Sequence, residues 1–486
     1  MAQEYSISTY PDWKQVTNKL NTLASSPLAP LKHDALKEYL AYFEQKCSKS
    51  KAITTQAKAT IPGGVQHNLA FNYPFPIAIA KADDAFMWDV DGNQYIDFLC
   101  AGGPTILGNN WKPVRDKVIE MLNECGPVTG LFHEYELKLA ELVKHFYPSC
   151  EMFRMLGSGT EADMAAIRLA RTATGKSAVI KAGGAYHGWS DQLVYGLHIP
   201  GSSSAEAIGI PRDCNKNTQE FFPTDIDALA KQMEKNAAKG GTACVLLEPL
   251  GPESGTRPVP FDFAKQVREL CDKHGALLIF DEVVTAFRLG LKGAQGYFGV
   301  KPDLTVFGKC IAGGYPMAGG VGGRKDIISY CAAGVESGKK RAYVGGTLSA
   351  NPLSCVAGYW AIKEFERTDA AVKAGRAGDR LAKGLQEIVD RRKLPYVVYS
   401  QGSIVHLETS GAMFVDLNIP AAMESAKARK ELMEEMGAAY MAEGMITIGG
   451  SRIYTMMAHT DAIIDDAISR FDRIFSKAQV GGTPGH

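Results

Sequence analysis

Two polar residues follow buried-looking apolar runs in the middle of the chain, and both can do chemistry. Asp281 ends the run 276–280, while Lys309 follows the run 304–307 and precedes a glycine-rich turn. A desolvated lysine amine at a strand tip can form a Schiff base with an aldehyde. A buried carboxylate needs a partner, and a pyridinium N–H would be one. Taken singly, Asp281 also fits a structural ion pair or helix cap, and Lys309 also fits a lysine that reaches solvent.

Two turns carry groups suited to a phosphate and to a flat ring. Residues 157–162 combine small residues and hydroxyls at a strand-to-helix turn, where N–H groups favour an anion. Their spacing is neither a Walker A loop nor G-x-G-x-x-G, and many strand-to-helix turns are glycine-rich. Residues 183–189 contain Tyr186, whose ring could stack on an aromatic ligand or lie in the core.

Strand and helix patterns alternate around these groups. Strands are predicted at 152–156, 177–181, 243–248, 276–281 and 304–307, and helices at 133–146, 161–172 and 261–274. Thr224 is predicted to be the N-cap of a further helix. Continuously apolar strands separated by helices indicate an α/β fold, with a mostly parallel sheet covered on both faces. Such a sheet binds its ligand at the carboxyl ends of its strands, where the candidate groups lie.

The flanking segments predict smaller elements. The first 60 residues have a helical pattern, residues 48–64 resemble a connector, and residues 86–98 predict a hairpin that turns at Asp91 and Gly92. A long helix at 353–367 should lead into mixed strands and helices, and residues 481–486 should be disordered.

Composition excludes several classes of protein. The 486 residues are 45% hydrophobic and 22% charged with a formal net charge of +0, so no one-signed field favours nucleic acid or membrane. The ten cysteines form no C-x-x-C pair, which argues against a metal site of the zinc-ribbon type. We expect reduced core thiols in a cytoplasmic protein, because neither a signal peptide nor a membrane-spanning run is visible.

Together, the motifs resemble the class III (ω-) aminotransferases of pyridoxal 5′-phosphate (PLP) fold type I. The glutamate-1-semialdehyde aminomutase-like and β-amino-acid aminotransferase branch is the most similar. The resemblance covers residues 61–475 and rests on the segments 62–65, 86–98, 157–162, 185–188, 248–249, 281–283, 308–309, 311–314 and 346–352. It implies a large PLP-binding domain at 105–350 with a seven-stranded sheet. Residues 1–104 and 351–478 would form a small α+β domain, followed by a flexible tail at 479–486.

The resemblance also implies residue roles. Lys309 would form the Schiff base and move the Cα proton, and Asp281 would pair with the ring nitrogen. Glu248 would support the loop near the ring hydroxyl, and Thr347 would reach the phosphate of a neighbouring subunit's cofactor, which implies a homodimer with shared sites. The remaining cofactor contacts would come from Ser158, Gly159 and Thr160 at the phosphate and from Tyr186, His187 and Val283 at the ring.

The predicted substrate pocket departs from the aminomutase pattern. Residues 66–71 lack an arginine, residues 108–113 differ, and the segment 450–452 replaces a stretch in which aminomutases carry a glutamate. These changes argue against glutamate-1-semialdehyde as the substrate. Arg452 could bind the substrate carboxylate or pair with surface acids. Glu253 could meet a second amino group or cap a turn, and the aromatics Phe71, Tyr73 and Phe75 could line a pocket or belong to the core.

The expected function is transfer of an amino group from an amino acid, possibly a β- or ω-amino acid, or an amine to a 2-keto acid. An aminomutase or amino-acid racemase on the same scaffold is the first alternative. A nucleotide- or phosphate-binding module without covalent chemistry is the second alternative.

Overall fold

The computed structural model describes residues 3–203, 207–334, 340–415, 420–449 and 451–485, and the side chains of 420–424 are not described. The chain divides into two compact units. The first unit comprises residues 1–111 and 372–486, and the second comprises residues 112–371. Within the described ranges, no helix combines the length and the apolar composition needed to cross a membrane.

The N-terminal part of the first unit contains three helices and a strand meander. Its elements are α1 (Trp13–Ser25), α2 (His33–Lys46), α3 (Ser48–Ala57), β1 (Ile79–Asp83), β2 (Phe86–Asp89) and β3 (Gln94–Asp97). Strands β2 and β3 pair antiparallel, as the hairpin prediction required. Gly92 has a φ of 93°, which a glycine adopts without strain in the turn between these strands.

The predicted connector at 48–64 is wrong for its first half, because that half forms α3. The Asp91 carboxylate accepts hydrogen bonds from the backbone N–H groups of Lys49 (2.8 Å) and Ser50 (2.9 Å). This carboxylate therefore caps the start of α3 from the hairpin turn. The sequence of residues 48–57 gives no sign of a cap supplied by a residue about 40 positions away.

The second unit alternates strands with helices. Its elements are α4 (Lys112–Glu124), α5 (Glu134–Phe146), β4 (Met152–Leu156), α6 (Gly159–Thr174), β5 (Ala178–Ala182), α7 (Arg212–Asn215), β6 (Thr218–Phe221), α8 (Ile226–Ala237), β7 (Thr242–Leu247), α9 (Pro252–Gly255), α10 (Phe263–His274), β8 (Leu277–Asp281), α11 (Gly293–Phe298), β9 (Leu304–Gly308), β10 (Gly319–Gly323), α12 (Lys325–Ile328) and α13 (Pro352–Thr368). The predicted N-cap Thr224 is wrong by one residue. Asp225 caps α8, because its carboxylate accepts a 2.8 Å hydrogen bond from the N–H of Ala228.

The seven strands of the second unit form one mostly parallel sheet in the order β4-β10-β9-β8-β7-β5-β6. Alternate residues of the central strands pack in two different hydrophobic cores, one on each face of the sheet. On β7, Leu246 packs in a core with α6, whereas Val245 and Leu247 pack in a core with α8 and α10. Both faces of the sheet are therefore covered, which explains why its strands are continuously apolar.

Strand β10 is antiparallel to both of its neighbours, β4 and β9, and its glycine-rich sequence gave no prediction of a strand. The glycines are required by close packing. A Cβ at Gly320 would lie 2.5 Å from the Phe153 ring, and a Cβ at Gly322 would lie 2.6 Å from Cys150 Sγ. A Cβ at Gly319 would collide with the backbone of Ser158.

The C-terminal part of the chain completes the first unit. It contains α14 (Ala370–Arg392), β11 (Val397–Gln401), β12 (Ile404–Glu408), α15 (Pro420–Ala442), β13 (Met445–Ile446), β14 (Arg452–Tyr454) and α16 (Asp461–Phe475). Strand β13 joins the N-terminal strands in the order β1-β2-β3-β13, and β11-β12-β14 form a three-stranded sheet. The mixed strands and helices predicted for this part of the chain are therefore present.

The observed division differs from the predicted one between residues 351 and 371. Helix α13 lies in the second unit, where Trp360 Nε1 donates a 3.1 Å hydrogen bond to the Tyr135 hydroxyl on α5. A Cβ at Gly358 of α13 would collide with the carbonyl of Ile311 in the turn after β9. The helix is therefore packed among the elements that carry Lys309.

Two details bear on the remaining sequence predictions. In the predicted tail, the N–H groups of Gln479 and Gly481 donate to the carbonyls of Pro30 (2.8 Å) and Leu28 (2.7 Å), while His486 lies outside the described residues. Flexibility of the tail stays a prediction. All ten cysteines are free, but Cys125 and Cys214 are exposed, so the expectation of core thiols is wrong for these two.

Candidate active site

The carboxyl edge of the parallel strands gathers most of the predicted site residues. Strands β5, β7, β8 and β9 are parallel neighbours, and β4 runs in the same direction because β10 is antiparallel to both β4 and β9. At this edge each strand is followed by a predicted group, namely Ser158 after β4, Tyr186 and His187 after β5, Glu248 after β7, Asp281 at the end of β8 and Lys309 after β9.

Asp281 is buried and its carboxylate is held by two donors. Its Oδ2 lies 2.7 Å from His187 Nδ1, and its Oδ1 accepts a 2.9 Å hydrogen bond from the N–H of Val283. Burial lowers the pKa of His187, against the influence of Asp281. The imidazole is therefore neutral near pH 7, and its one proton lies on Nδ1 because a carboxylate can only accept. His187 thus contacts Asp281 rather than only flanking Tyr186.

Lys309 lies at the tip of the strand next to Asp281. Its φ of 47° is in the left-handed region, at the start of a turn of 3₁₀ helix that spans Lys309–Ala312. Val306 is the register partner of Asp281, so Lys309 lies three residues beyond that partner. The two Cα atoms are therefore separated by about 10 Å along the strand direction. Lys309 and Asp281 are therefore at the tips of two neighbouring strands.

The start of α6 offers an anion site. Ser158 is the N-cap, and its hydroxyl accepts a 3.2 Å hydrogen bond from the N–H of Glu161. Glu161 in turn accepts from the N–H of Gly157 (2.9 Å). The N–H groups of Gly159 and Thr160 lie in the first turn, where the helix supplies no acceptor for them. A phosphate placed there would meet these N–H groups and the positive end of the helix dipole.

Val283 lies between two glycines that follow different strands. A Cβ on Gly159 would lie 2.8 Å from Val283 Cγ2, and a Cβ on Gly308 would lie 2.8 Å from Val283 Cγ1. Ordinary carbon contacts are about 3.5–4.0 Å, so neither position tolerates a methyl group without movement. Val283 is therefore closely packed between the two glycines at the carboxyl edge, and its contact with a cofactor ring stays a prediction.

Glu248 follows β7 and connects two loops at this edge of the sheet. It accepts hydrogen bonds from the N–H groups of Tyr186 (2.9 Å), Glu253 (2.9 Å) and Ser254 (2.7 Å). Burial and the charges of Asp281 and Glu253 raise its pKa to about 8, against the effect of these N–H donors. Glu248 thereby joins the loop that carries Tyr186 to the loop that carries Glu253.

Tyr186, His198 and Glu253 form a polar group beside Glu248. The Tyr186 ring is partly exposed and stacks on His198 at 6.4 Å between ring centroids. His198 Nε2 lies 3.1 Å from Glu253 Oε1, and Glu253 itself is buried in a left-handed turn with a φ of 55°. Sequence reasoning missed His198, because its loop has no periodic pattern that would place it near the sheet edge.

Asp163 on α6 is a second residue that sequence reasoning missed. It is buried with Ala166, Ile167 and Ala170 on one face of the helix. Asp163 precedes apolar residues by three, four and seven positions, so helical periodicity places this acid on the buried face of the predicted helix. That pattern is a sequence signal from which Asp163 could have been found. Asp163, His187 and Asp281 each offer a polar atom, and these three atoms lie within 4.8 Å of one another.

The other predicted residues lie on segments outside the loops described above. Thr347 is in the second unit and is exposed, on the segment that precedes α13. Arg452 is in the first unit, on β14, and its register partner is His406 of β12. Gly450 of the same segment lies outside the described residues. Of the three aromatics, Phe71 is exposed, whereas Tyr73 and Phe75 pack partly against a core of the first unit.

The residues at the sheet edge fit PLP. They present a lysine, a helix N-terminus with hydroxyls, a wedged apolar side chain, a partly exposed aromatic ring and a hydrogen-bonded buried carboxylate. The buried His187 Nε2 and Asp163 Oδ1 atoms have no hydrogen-bond partner among the described residues. Buried polar atoms without a hydrogen-bond partner are rare in native structures, and these two atoms therefore agree with a cofactor that binds beside them.

The chain belongs to the class-III aminotransferase family, whose model matches residues 69–475. It is similar to an ω-transaminase from Sphaerobacter thermophilus, with 27% identity over 90% of this chain and 99% of that chain and a TM-score of 0.79. It is also similar to a β-phenylalanine aminotransferase from Variovorax paradoxus, with 25% identity over 91% and 97% of the two chains and a TM-score of 0.78.

A solved transaminase with PLP bound is 25% identical over 89% of this chain and 98% of that chain, with a TM-score of 0.78. The predicted family, the α/β fold and the cofactor are thereby confirmed. The protein is a PLP-dependent transaminase.

Proposed function

We propose that the enzyme moves an amino group from a β-amino acid, an ω-amino acid or an amine to a 2-keto acid, with Lys309 and Asp281 at opposite ends of the cofactor ring. The observation that carries this proposal is the placement of the two residues at the tips of the neighbouring parallel strands β9 and β8. PLP supplies an electron sink for the negative charge left when a bond to the substrate Cα breaks.

Each residue has a defined task in this proposal. The Lys309 amine would hold the cofactor at its aldehyde carbon and would serve as the general base that accepts the Cα proton of the substrate. The Asp281 carboxylate, held by His187 and Val283, keeps the ring nitrogen protonated. Ser158, Gly159 and Thr160 bind the phosphate at the start of α6. Val283 and Tyr186 contact the two faces of the ring.

The substrate contacts belong to the proposal as well. Arg452 would bind the substrate carboxylate through its planar guanidinium. Glu253 and its partner His198 lie beside Tyr186, and in the proposal they form the polar wall of the pocket. A carboxylate in that wall favours a substrate with a second cationic or hydrogen-bonding group over a purely apolar one.

We also propose a homodimer with shared sites. The segment 128–137 of the second unit exposes several large apolar side chains, including Leu131 (80%) and Phe132 (74%). Apolar exposure of this kind on a globular chain marks an interaction surface. Thr347 is exposed on the same unit and is free to contact the partner's cofactor. Light scattering should give twice the chain mass, and Thr347→Ala should weaken cofactor retention without changing that mass.

The ten free thiols support a cytoplasmic location, because disulfides are rare there. Fractionation of the source cells with an antibody against the protein would test the location.

A donor panel with pyruvate and 2-oxoglutarate as acceptors tests the reaction. The proposal predicts that amino donor without acceptor releases one carbonyl product per active site and then stops. Lys309→Ala should abolish this single turnover, whereas Lys301→Ala, a change at an exposed lysine before β9, should not. Turnover without any acceptor and without release of a carbonyl product would instead indicate an aminomutase or a racemase.

A further inference from the structure

A third buried acid lies beside the Asp281–His187 pair and has no role in the scheme above. Asp163 is 1% exposed, and its Oδ1 has no hydrogen-bond partner among the described residues. Polar atoms of Asp163, His187 and Asp281 lie within 4.8 Å of one another. The neighbouring positions on α6, from Ala162 to Ile167, are apolar and buried apart from Met164. The buried apolar residues next to Asp163 on α6 therefore shield its carboxyl group from water on that side.

The ionisable side chains that face Asp163 are mostly acidic. Asp281 faces it from β8 and Glu248 from the end of β7, while Lys309 after β9 supplies the positive charge. His187, from the loop after β5, is neutral because burial lowers its pKa. Burial, the two carboxylates and a hydrogen bond with Asp281 raise the pKa of Asp163 well above its usual value. Two buried carboxyl groups in contact cannot both ionise, so one of them must hold a proton.

The proton belongs on Asp163 and not on Asp281. Asp281 accepts hydrogen bonds from His187 and from the backbone of Val283, and both bonds favour its ionised form. The Oδ1 atom of Asp163 has no such donor among the described residues. A protonated Asp163 can donate a hydrogen bond to the ionised Asp281 carboxylate.

We propose that Asp163 keeps its proton at neutral pH, donates a hydrogen bond through it to the Asp281 carboxylate, and thereby acts as a positioning residue for the carboxylate at the ring nitrogen. The part that concerns the ring nitrogen rests on the proposed function, whereas the shared proton does not. Asp281 then has three donors around it, from Val283, His187 and Asp163. The cluster carries a single negative charge, which is the charge that one protonated ring nitrogen neutralises.

The variants Asp163→Asn and Asp163→Leu separate this role from simple space filling. Asparagine keeps an N–H donor at the position, whereas leucine fills a similar volume without a donor. Asp227→Asn on α8 provides a matched control at an exposed position. Each protein is prepared as the holoenzyme, and infrared difference spectra are recorded between wild type and variant at neutral pH.

The expected result is a band from a protonated carboxylic acid in the difference spectrum between wild type and Asp163→Asn, and no such band in the difference spectrum between wild type and Asp227→Asn. Other protonated acids, such as Glu248, are common to all three proteins and cancel in the difference. The absence of that band from the difference spectrum between wild type and Asp163→Asn would overturn the proposal, as would one equivalent of a bound divalent cation, because a metal ligand at Asp163 would be ionised. This measurement needs only wild type and a conservative variant, so it does not depend on whether Asp163→Leu folds.

Cofactor retention tests the positioning role. Asp163→Asn should bind PLP within about threefold of wild type and keep its visible spectrum, while Asp163→Leu should bind about tenfold more weakly, because a hydrogen bond to a charged group is lost. Equal retention by the two variants would overturn the positioning role. Failure of the proposed function has a different signature, since the cofactor would then not be attached to Lys309 while the infrared band persisted.

Discussion

Val283 packs tightly between Gly159 and Gly308, and this arrangement, the Val283 wedge, predicts how one added methyl group should disturb the site. Gly159→Ala places a Cβ 2.8 Å from Val283 Cγ2 and 3.1 Å from Cγ1. These distances are about 1 Å inside normal carbon contact. The valine has little room to move toward β9, because it already lies against the backbone of Gly308, so close that an added Cβ there would be 2.8 Å away. The new methyl group must therefore push Val283 toward the cofactor ring or strain the start of α6.

The magnitude follows from the cost of overpacking. One extra methyl group in a tight core costs about 1–3 kcal/mol. Val283→Ala removes the two methyl groups that collide, so the double variant should recover most of that cost. The double-mutant cycle should then show a favourable coupling of about 1–2 kcal/mol. Gly345→Ala is the control, because its nearest neighbour would be Arg154 at 3.9 Å.

The assay is urea denaturation of the four proteins of the cycle and the control, combined with titration of cofactor binding by visible absorbance. Gly159→Ala should lower both the free energy of unfolding and the affinity for PLP, and Val283→Ala should restore affinity in the Gly159→Ala background. Additive effects of the two substitutions, or a Gly159→Ala protein as stable as Gly345→Ala, would refute the reasoning about the wedge.

Three further predictions concern acids and an arginine. Asp281→Asn should lower kcat/KM by about 10²- to 10³-fold, because breaking a buried charge pair costs about 3–5 kcal/mol, and near-normal activity would contradict its assignment to the ring nitrogen. Arg452→Ala should raise the KM for the amino acid by about tenfold with little change in kcat, and an unchanged KM would exclude a carboxylate contact. The pKa of Glu248 is raised from 4.5 to about 8, so the folded protein binds this proton more tightly than the unfolded chain does. As the pH rises between those values, the free energy of unfolding of wild type relative to Glu248→Gln should therefore fall by about 1.4 kcal/mol per pH unit. A pH-independent difference in urea denaturation would show instead that the three N–H donors keep Glu248 ionised.

The sequence predicted the sheet and its edge because the physics there is local. Continuous apolar runs form buried parallel strands, and a polar residue that ends such a run must lie at the strand tip. Asp281 and Lys309 were therefore located to the residue. The register that makes them neighbours, with Asp281 opposite Val306, depends on the pairing of β8 with β9.

The rest of the site depends on contacts between distant residues. The 2.7 Å contact between His187 and Asp281 joins residues 94 positions apart, and no periodic pattern encodes it. Strand β10 was missed because glycine is a poor strand former, and only its neighbours explain why a Cβ is excluded at Gly320. The cap of α3 likewise comes from Asp91, outside the helix. In each case the deciding energy lies in packing or hydrogen bonding that exists only after folding.

Attachment of the cofactor to one lysine is the central claim, and reduction with borohydride followed by peptide mapping tests it most directly. The reduced cofactor should be recovered on the peptide that contains Lys309, and Lys309→Ala should show no attachment. Recovery on another lysine, such as Lys181, which is fully buried beside the loop of Tyr186 and His187, would contradict the account.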